Sequence, residues 1–397
     1  MFTKEQKKIK IIFGKLNLLG DINKIFDERI LDFFDEISKE IINNKKSSNY
    51  KDLATFAFWC RKANLLKISQ EYNKKDQMIG RGLALHITPS NVPMNFAYSL
   101  AFGLLSGNNN IVRLPSKKFF QVNIICKLFY KILQKKKYFK ISKKICLINY
   151  EKSNEISSAL SKIVDVRLIW GGDETINQFK KYYTSPRCVD LNFANRYSIS
   201  IINIKKISKL SRDQLANIAR RFFNDSYTMD QKGCSSPQAI VWIGGNNKKI
   251  KKKFFNSLEE IVNKEYDNDL SVTNDKIAAL SLIAVKSNAN FKTNYNNFKL
   301  IRIDVKSLTK EIENIQPHFG TFVEIDLSNI GQINKIISKK LQTITYFGIN
   351  ESVIKNAIVK KCSAGVDRIV PIGRALDMGV IWDGYDVIQA LSRTIGK

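Results

Sequence analysis

From Gly80 onward the chain alternates short β-branched runs with helical patterns, and this rhythm constrains the fold more than any other feature. Strand-like runs fall at 83–87, 111–114, 145–149, 164–170 and 188–191. Helical patterns occupy 93–105, 119–133, 155–163 and 175–182 between them. Single helices between successive strands imply right-handed crossovers and a parallel sheet. After Tyr197 a second α/β unit follows. Its strand-like runs are 198–204, 238–243, 298–305, 322–327 and 343–348, with helices around 247–265, 273–286, 331–340 and 351–361. Residues 1–79 read as helices and polar connections, with apolar faces in 26–42 and 53–66. The expected organisation is a helical N-terminal segment (1–79), α/β domains at 80–196 and 197–365, and a C-terminal segment (366–397). That last segment is expected to return to the first domain or to a subunit interface.

Composition removes several function classes. A chain of 397 residues can bury two substantial cores, and 44% hydrophobic with 11% aromatic content excludes wholesale disorder. No apolar run approaches the roughly 18 residues of a spanning helix. The N-terminal residues Met1 to Lys8 lack the apolar core of a signal peptide. The expectation is a cytoplasmic protein without a transmembrane segment. Cysteines 60, 126, 146, 188, 234 and 362 form no C-x-x-C pair, and there are two histidines, so neither a metal site nor a disulfide framework is expected. A net charge of +29 suggests nucleic acid. The lysines, however, are spread along the whole chain, and the one dense cluster, Lys248 to Lys253, opens a surface helix. No nucleic-acid partner is expected.

The stretch from Phe222 to Gln238 carries the clearest chemistry. Ser211 and Gln214 have capping-box spacing, and Leu215, Ile218, Ala219 and Phe222 then mark the buried face of a helix. The pattern breaks into small polar residues that present a thiol, Cys234, before the next strand. A cysteine on such a loop is reachable by substrate and can collect N–H donors for a developing oxyanion. Most cysteines are small buried residues, and the rest of the chain is what separates this one from them.

Ligands of parallel sheets sit beyond the carboxyl ends of strands, and three such ends stand out. Ile87-Thr88-Pro89-Ser90-Asn91 leads a strand into a turn that exposes a carboxamide, either a common turn Asn or a donor to a reacting oxygen. The strand through Arg113 ends in Ser116 and Lys117 rather than an acidic residue, which favours a 2′-phosphate, hence NADPH over NADH. Gly171 and Gly172 open a helix and make a suitable pyrophosphate seat, although G-x-G-x-x-G is absent. His86 ends an apolar strand and reads as a packed histidine; His318 is the other candidate base.

Four segments in this order resemble the acyl-CoA reductase (LuxC-type) branch of the aldehyde dehydrogenase superfamily. They are H-I-T-P-S-N-V-P-M-N (86–95), G-N-N-N-I-V-R-L-P-S (107–116), M-D-Q-K-G-C-S-S-P-Q (229–238) and the R-I-V-P-I-G…W-D-G-Y tail. The resemblance spans roughly residues 80–390. It implies an aldehyde dehydrogenase-like α/β fold: two α/β domains with mostly parallel sheets, the first binding a nicotinamide dinucleotide, the second carrying the thiol, and the active site between them. Cys234 then matches the acyl-accepting nucleophile and Asn91 the oxyanion carboxamide. Thr88, Pro89, Arg113, Ser116, Lys117, Gly171 and Gly172 fall on the cofactor side. His318 and Phe319 stand in the nicotinamide-ribose clamp, whose glutamate is missing. Asp190 stands where the superfamily carries its hydrolytic base, and it keeps a weakened form of that role or none.

The implied reaction is NADPH-dependent reduction of a fatty acyl-CoA to the aldehyde through an acyl-cysteine, with coenzyme A as leaving group and no need for a water-activating base. The implied partners are a fatty acyl-CoA or acyl-protein donor, an acyl-protein synthetase and a second copy of the chain in a homo-oligomer. Two other readings stay open on the residues: a CoA-independent aldehyde dehydrogenase, and an acyl-transfer subunit without reductase activity.

Overall fold

A computed structural model describes residues 8–18, 20–44, 47, 50–267, 270–286, 292–304, 313 and 316–396. Two compact units divide the chain, residues 1–194 with 378–397, and residues 195–377. Residues 1–7 and Val305, included in the expectations above, lie outside the described residues.

The first unit is built on a six-stranded sheet in the order β1-β5-β4-β3-β6-β7. Its strands are β1 (Lys10–Phe13), β3 (Leu83–Ile87), β4 (Asn109–Arg113), β5 (Ile145–Asn149), β6 (Val166–Trp170) and β7 (Val189–Phe193), while β2 (Met78–Gly80) lies outside this sheet. All pairings among β3 to β7 are parallel, and β1 joins the edge antiparallel to β5. The N-terminal segment was expected to be helical, so β1 is a difference: its Ile11 and Ile12 are exposed and the strand exists by pairing with the β5 edge. The single apolar stretch expected at 53–66 is two helices, Lys51–Cys60 and Lys62–Ser69, separated at Arg61, whose extended backbone interrupts the helical path. The helix Asn95–Leu105 is buried at every position, in line with its largely apolar sequence.

The second unit holds a seven-stranded sheet in the order β10-β11-β12-β9-β8-β13-β14. The strands are β8 (Tyr197–Asn203), β9 (Pro237–Ile243), β10 (Lys292–Asn297), β11 (Leu300–Asp304), β12 (Thr321–Leu327), β13 (Leu341–Phe347) and β14 (Arg368–Pro371). Only the β10–β11 pairing is antiparallel. Both faces are covered: Tyr197, Ile199, Ile201 and Val241 pack into one core, and Ile202, Ile240 and Trp242 into the other. Burial on both faces agrees with the continuous apolar run Ala239–Ile243 of β9. The helix expected at 331–340 is a 3-10 segment, Ile330–Lys335, because the chain must turn from β12 into β13 by Leu341.

The helix Arg212–Tyr227 carries the expected capping box: Gln214 N donates to Ser211 Oγ (3.3 Å) and Ser211 N to Gln214 Oε1 (3.0 Å). Such a cap is worth about 1 kcal/mol. The C-terminal segment serves two places. Residues 368–371 form β14 on β13, whereas β15 (Ile381–Trp382), β16 (Tyr385–Asp386) and β17 (Ser392–Thr394) belong to the first unit, β17 pairing with β2. Among the described residues no helix is long and apolar enough to cross a membrane.

Candidate functional site

In the first unit β4 and β5 lie on one side of β3, and β6 and β7 on the other. The turns after β3 and β6 therefore open at the point where the winding reverses. These are the turns that carry Thr88, Pro89 and Asn91, and Gly171 and Gly172. Thr88 Oγ1 donates to the Arg113 carbonyl (2.6 Å), and Ser90 and Ser116 share a hydroxyl hydrogen bond of 2.8 Å. Arg113 lies over the Tyr150 ring at 4.5 Å and donates Nη2 to the Tyr150 carbonyl, while its Nε is buried with no hydrogen-bond partner. Asn91, Ser116 and Lys117 are exposed.

Gly172 caps the helix Asp173–Lys180 without a side-chain hydrogen bond. A Cβ on Gly171 would stand 3.1 Å from Thr175, so a side chain there would crowd the first turn. Asp173 and Glu174 already place negative charge on that turn. The orphaned Arg113 donor, the paired hydroxyls and the unclad glycines nevertheless fit an anionic, hydroxyl-rich ligand such as a nicotinamide dinucleotide.

Asp190 is held. It faces Arg167 across the β6–β7 register and accepts Nε at 2.7 Å and Nη2 at 2.5 Å. Arg167 is buried and spends Nη1 on Ser161 and the Phe179 carbonyl. His86 is also a packing residue: it is fully buried between Ser99 (2.8 Å) and Asn110 (3.0 Å), and burial pushes its pKa down to about 4. Trp170 Nε1 donates to the same Ser99 hydroxyl, so this polar chain reaches the residue before Gly171.

In the second unit the candidate residues precede their strands. Cys234 is half-buried in the loop before β9. Its carbonyl accepts from Ser198 Oγ at 2.7 Å, and its Sγ receives Gln342 Nε2 at 3.2 Å. Ser198 lies at the start of β8 and Gln342 at the start of β13. Arg368, at the start of β14, donates to the carbonyls of Ala375, Arg374 and Asp377. Burial pushes its pKa down; the charges of Asp377, Asp225 and Cys234 oppose that shift.

His318 and Phe319 turn into β12 with left-handed φ values of 54° and 52°, and Gly320 follows at 72°. A Cβ at Gly320 would stand 2.4 Å from the Lys299 carbonyl, so only glycine fits. Two glutamines tie this turn to the cysteine loop. Gln231 donates to the carbonyls of Pro237 (2.7 Å) and Thr321 (3.1 Å) and accepts from Gly320 N (2.9 Å). Gln238 donates to the Gln231 carbonyl (2.7 Å) and accepts from His318 N (3.2 Å). His318 Nδ1 contacts the Gln231 carbonyl at 3.0 Å; its pKa is lowered by burial, with the Lys232 charge adding to the effect. Phe319 is buried under the Lys232 ammonium, 4.5 Å from the ring centroid.

The sequence reading missed Ser198, Gln231, Gln238, Gln342 and Asp225. Gln231 and Gln238 lie inside the cysteine motif and were legible there. Ser198 and Gln342 come from remote strands and carried no local signal.

Parallel α/β units with a thiol loop of this kind define an aldehyde dehydrogenase-like fold. A solved indole-3-acetaldehyde dehydrogenase in complex with NAD+ has the same architecture, at TM-score 0.64 and 12% identity, covering 92% of this chain and 82% of that one. The family described as "Acyl-CoA reductase (LuxC)" matches residues 60–394, and the chain belongs to it. It is 27% identical over 323 residues to the long-chain acyl-protein thioester reductase of Aliivibrio fischeri, covering 79% of this chain and 64% of the relative. Against the protein of that name from Photobacterium phosphoreum it is 25% identical over 324 residues, covering 79% and 62%. The chain thus spans a little under two thirds of the length of these relatives.

Proposed function

We propose that this chain reduces fatty acyl thioesters to aldehydes, with Cys234 as the acyl-accepting nucleophile and NADPH as the reductant. The observation that carries the reading is the half-buried Cys234 thiol on a loop whose backbone is fixed by Ser198, Gln231 and Gln238. Burial pushes the thiols of Cys60 and Cys188 up, and those of Cys126 and Cys146 up to about 12, which makes these four poor nucleophiles. Cys362 is exposed, just beyond the helix Glu351–Val359.

In the proposed reaction the Cys234 thiolate attacks the thioester carbonyl; a carbon–sulfur bond forms and the carbonyl electron pair moves to oxygen. The Asn91 amide is assigned as a donor to that oxygen. Collapse expels the donor thiolate, coenzyme A or a carrier thiol, and leaves an acyl-cysteine. Reduced nicotinamide, when bound, supplies the hydride for the acyl carbon. Loss of the aldehyde then returns the electron pair to Cys234 sulfur. No water has to be activated, which agrees with an Asp190 carboxylate committed to Arg167. Arg113, Ser116, Lys117, Gly171 and Gly172 are assigned to the dinucleotide, with the cationic pair favouring NADPH. The names of the relatives favour a long-chain, carrier-borne donor.

The test incubates the protein with long-chain acyl-CoA, or with an acylated carrier, and NADPH or NADH, while reduced-nicotinamide absorbance and aldehyde are followed. Thioester-dependent loss of NADPH with aldehyde formation is expected. Labelled acyl-Cys234 without aldehyde would favour an acyl-transfer subunit, and activity on free aldehyde alone would overturn the proposal.

A further inference from the structure

The loop that carries Cys234 follows the C-terminal end of the helix Arg212–Tyr227, whose last turn holds no basic residue. That end of a helix carries partial negative charge and opposes an anion. The helix therefore gives no support to a thiolate on this loop. Gln342 is a donor in reach: it is buried, at 1% exposure, and its Nε2 stands 3.2 Å from Cys234 Sγ. Its amide has a defined orientation, because Thr343 Oγ1 donates to Gln342 Oε1 at 3.2 Å and leaves the NH2 group to face sulfur. Thr343 is itself anchored, its N–H donating to Ser198 Oγ at 3.1 Å, the same hydroxyl that holds the Cys234 carbonyl. One strand pair thus fixes the backbone and the sulfur of the cysteine together.

We propose that Gln342 is a catalytic residue that stabilises the Cys234 thiolate by donating an Nε2–H to its sulfur, in an orientation set by Thr343. The inference rests on the reading of Cys234 as nucleophile and adds to it the group that makes the sulfur ionise. The charged neighbours act in the background: Arg368 interacts favourably with a Cys234 anion, and Asp225 and Asp377 partly offset Arg368. An amide donor to a charged sulfur is strong for a hydrogen bond and corresponds to about one pKa unit.

The experiment is the pH profile of iodoacetamide alkylation of the intact protein, read by mass spectrometry on the peptide that contains Cys234, so that the other five cysteines do not interfere. In Gln342→Met the midpoint is expected to rise by about one unit. In Gln342→Glu, where a carboxylate replaces the donor, it is expected to rise further. Thr343→Val, which keeps the amide but frees it to rotate, should give a smaller rise and keeps the question answerable if a Gln342 variant does not fold. Midpoints equal to wild type in the folded variants would overturn the inference. Acyl-thioester reduction is measured separately: if the Gln342 variants shift the alkylation midpoint yet wild type forms no aldehyde, the functional reading fails while the stabilisation of the Cys234 thiolate by Gln342 stands.

Discussion

The two sheets of this chain present their candidate chemistry at opposite edges. In the first unit Asn91, Gly171 and Gly172 follow β3 and β6, at the carboxyl edge, where the next helix begins. In the second, Ser198, Cys234, Phe319, Gln342 and Arg368 lie at or just before the starts of β8, β9, β12, β13 and β14, the amino edge. The carboxyl edge comes with helix N-termini, so backbone N–H groups and glycines can serve an anion with little help. At the amino edge β9 and β14 are reached from the C-terminal ends of the helices Arg212–Tyr227 and Glu351–Val359, ends that offer carbonyls instead. Side-chain amides act there: Gln231 and Gln238 bind backbone carbonyls and N–H groups, and Gln342 donates to the cysteine sulfur.

The largest effect should follow from breaking the amino edge at its centre. Cys234→Ala is expected to lose essentially all acyl-thioester reduction and acyl labelling while cofactor binding, followed by nicotinamide fluorescence, persists; wild-type turnover in that variant would remove the nucleophile. Asp190→Asn asks the reverse question of the first unit, near the starts of β6 and β7. It leaves the buried Arg167 without its bidentate anion, so chemical denaturation should show a loss of about 3 kcal/mol with the Cys234 alkylation profile unmoved. A selective fall in kcat at unchanged stability would instead make Asp190 a base. Asn91→Ala removes one exposed amide donor and should slow reduction about a hundredfold, near 3 kcal/mol, without a stability change. An effect confined to KM would reassign Asn91 to binding.

How much of this the residues disclosed follows the same division. The parallel strands and their helices were legible from periodicity, and so were the capping box at Ser211 and the turns after β3 and β6, because each is written in consecutive residues. The edge strand β1 was not, since the exposed Ile11 and Ile12 acquire strand character only against β5. The donor on the cysteine sulfur was hidden for a related reason: 108 residues separate Gln342 from Cys234, and a glutamine within Leu-Gln-Thr-Ile-Thr has no local signature. Asp190 was visible as a carboxylate on a strand, but its commitment to Arg167 depends on the register of β6 and β7.

Asp225 offers the smallest effect and the sharpest test of the amino edge. Its buried carboxylate accepts the N–H groups of Gly373 (2.6 Å) and Ala375 (2.9 Å), which fastens the segment after β14 to the end of the Arg212–Tyr227 helix. Burial raises its pKa to about 7, against the two backbone donors, which lower it. A carboxyl with a raised pKa takes up its proton more readily in the folded chain than in the unfolded one. Its contribution to stability is complete below the ordinary carboxylate range and is lost as pH rises through the folded value. The unfolding free energy from chemical denaturation should therefore fall between about pH 5 and pH 7 by on the order of 2 kcal/mol in wild type. In Asp225→Asn, which cannot ionise, that slope should flatten. A slope that survives the substitution would show that Asp225 ionises without strain and that the Gly373–Ala375 clasp is held by its anion.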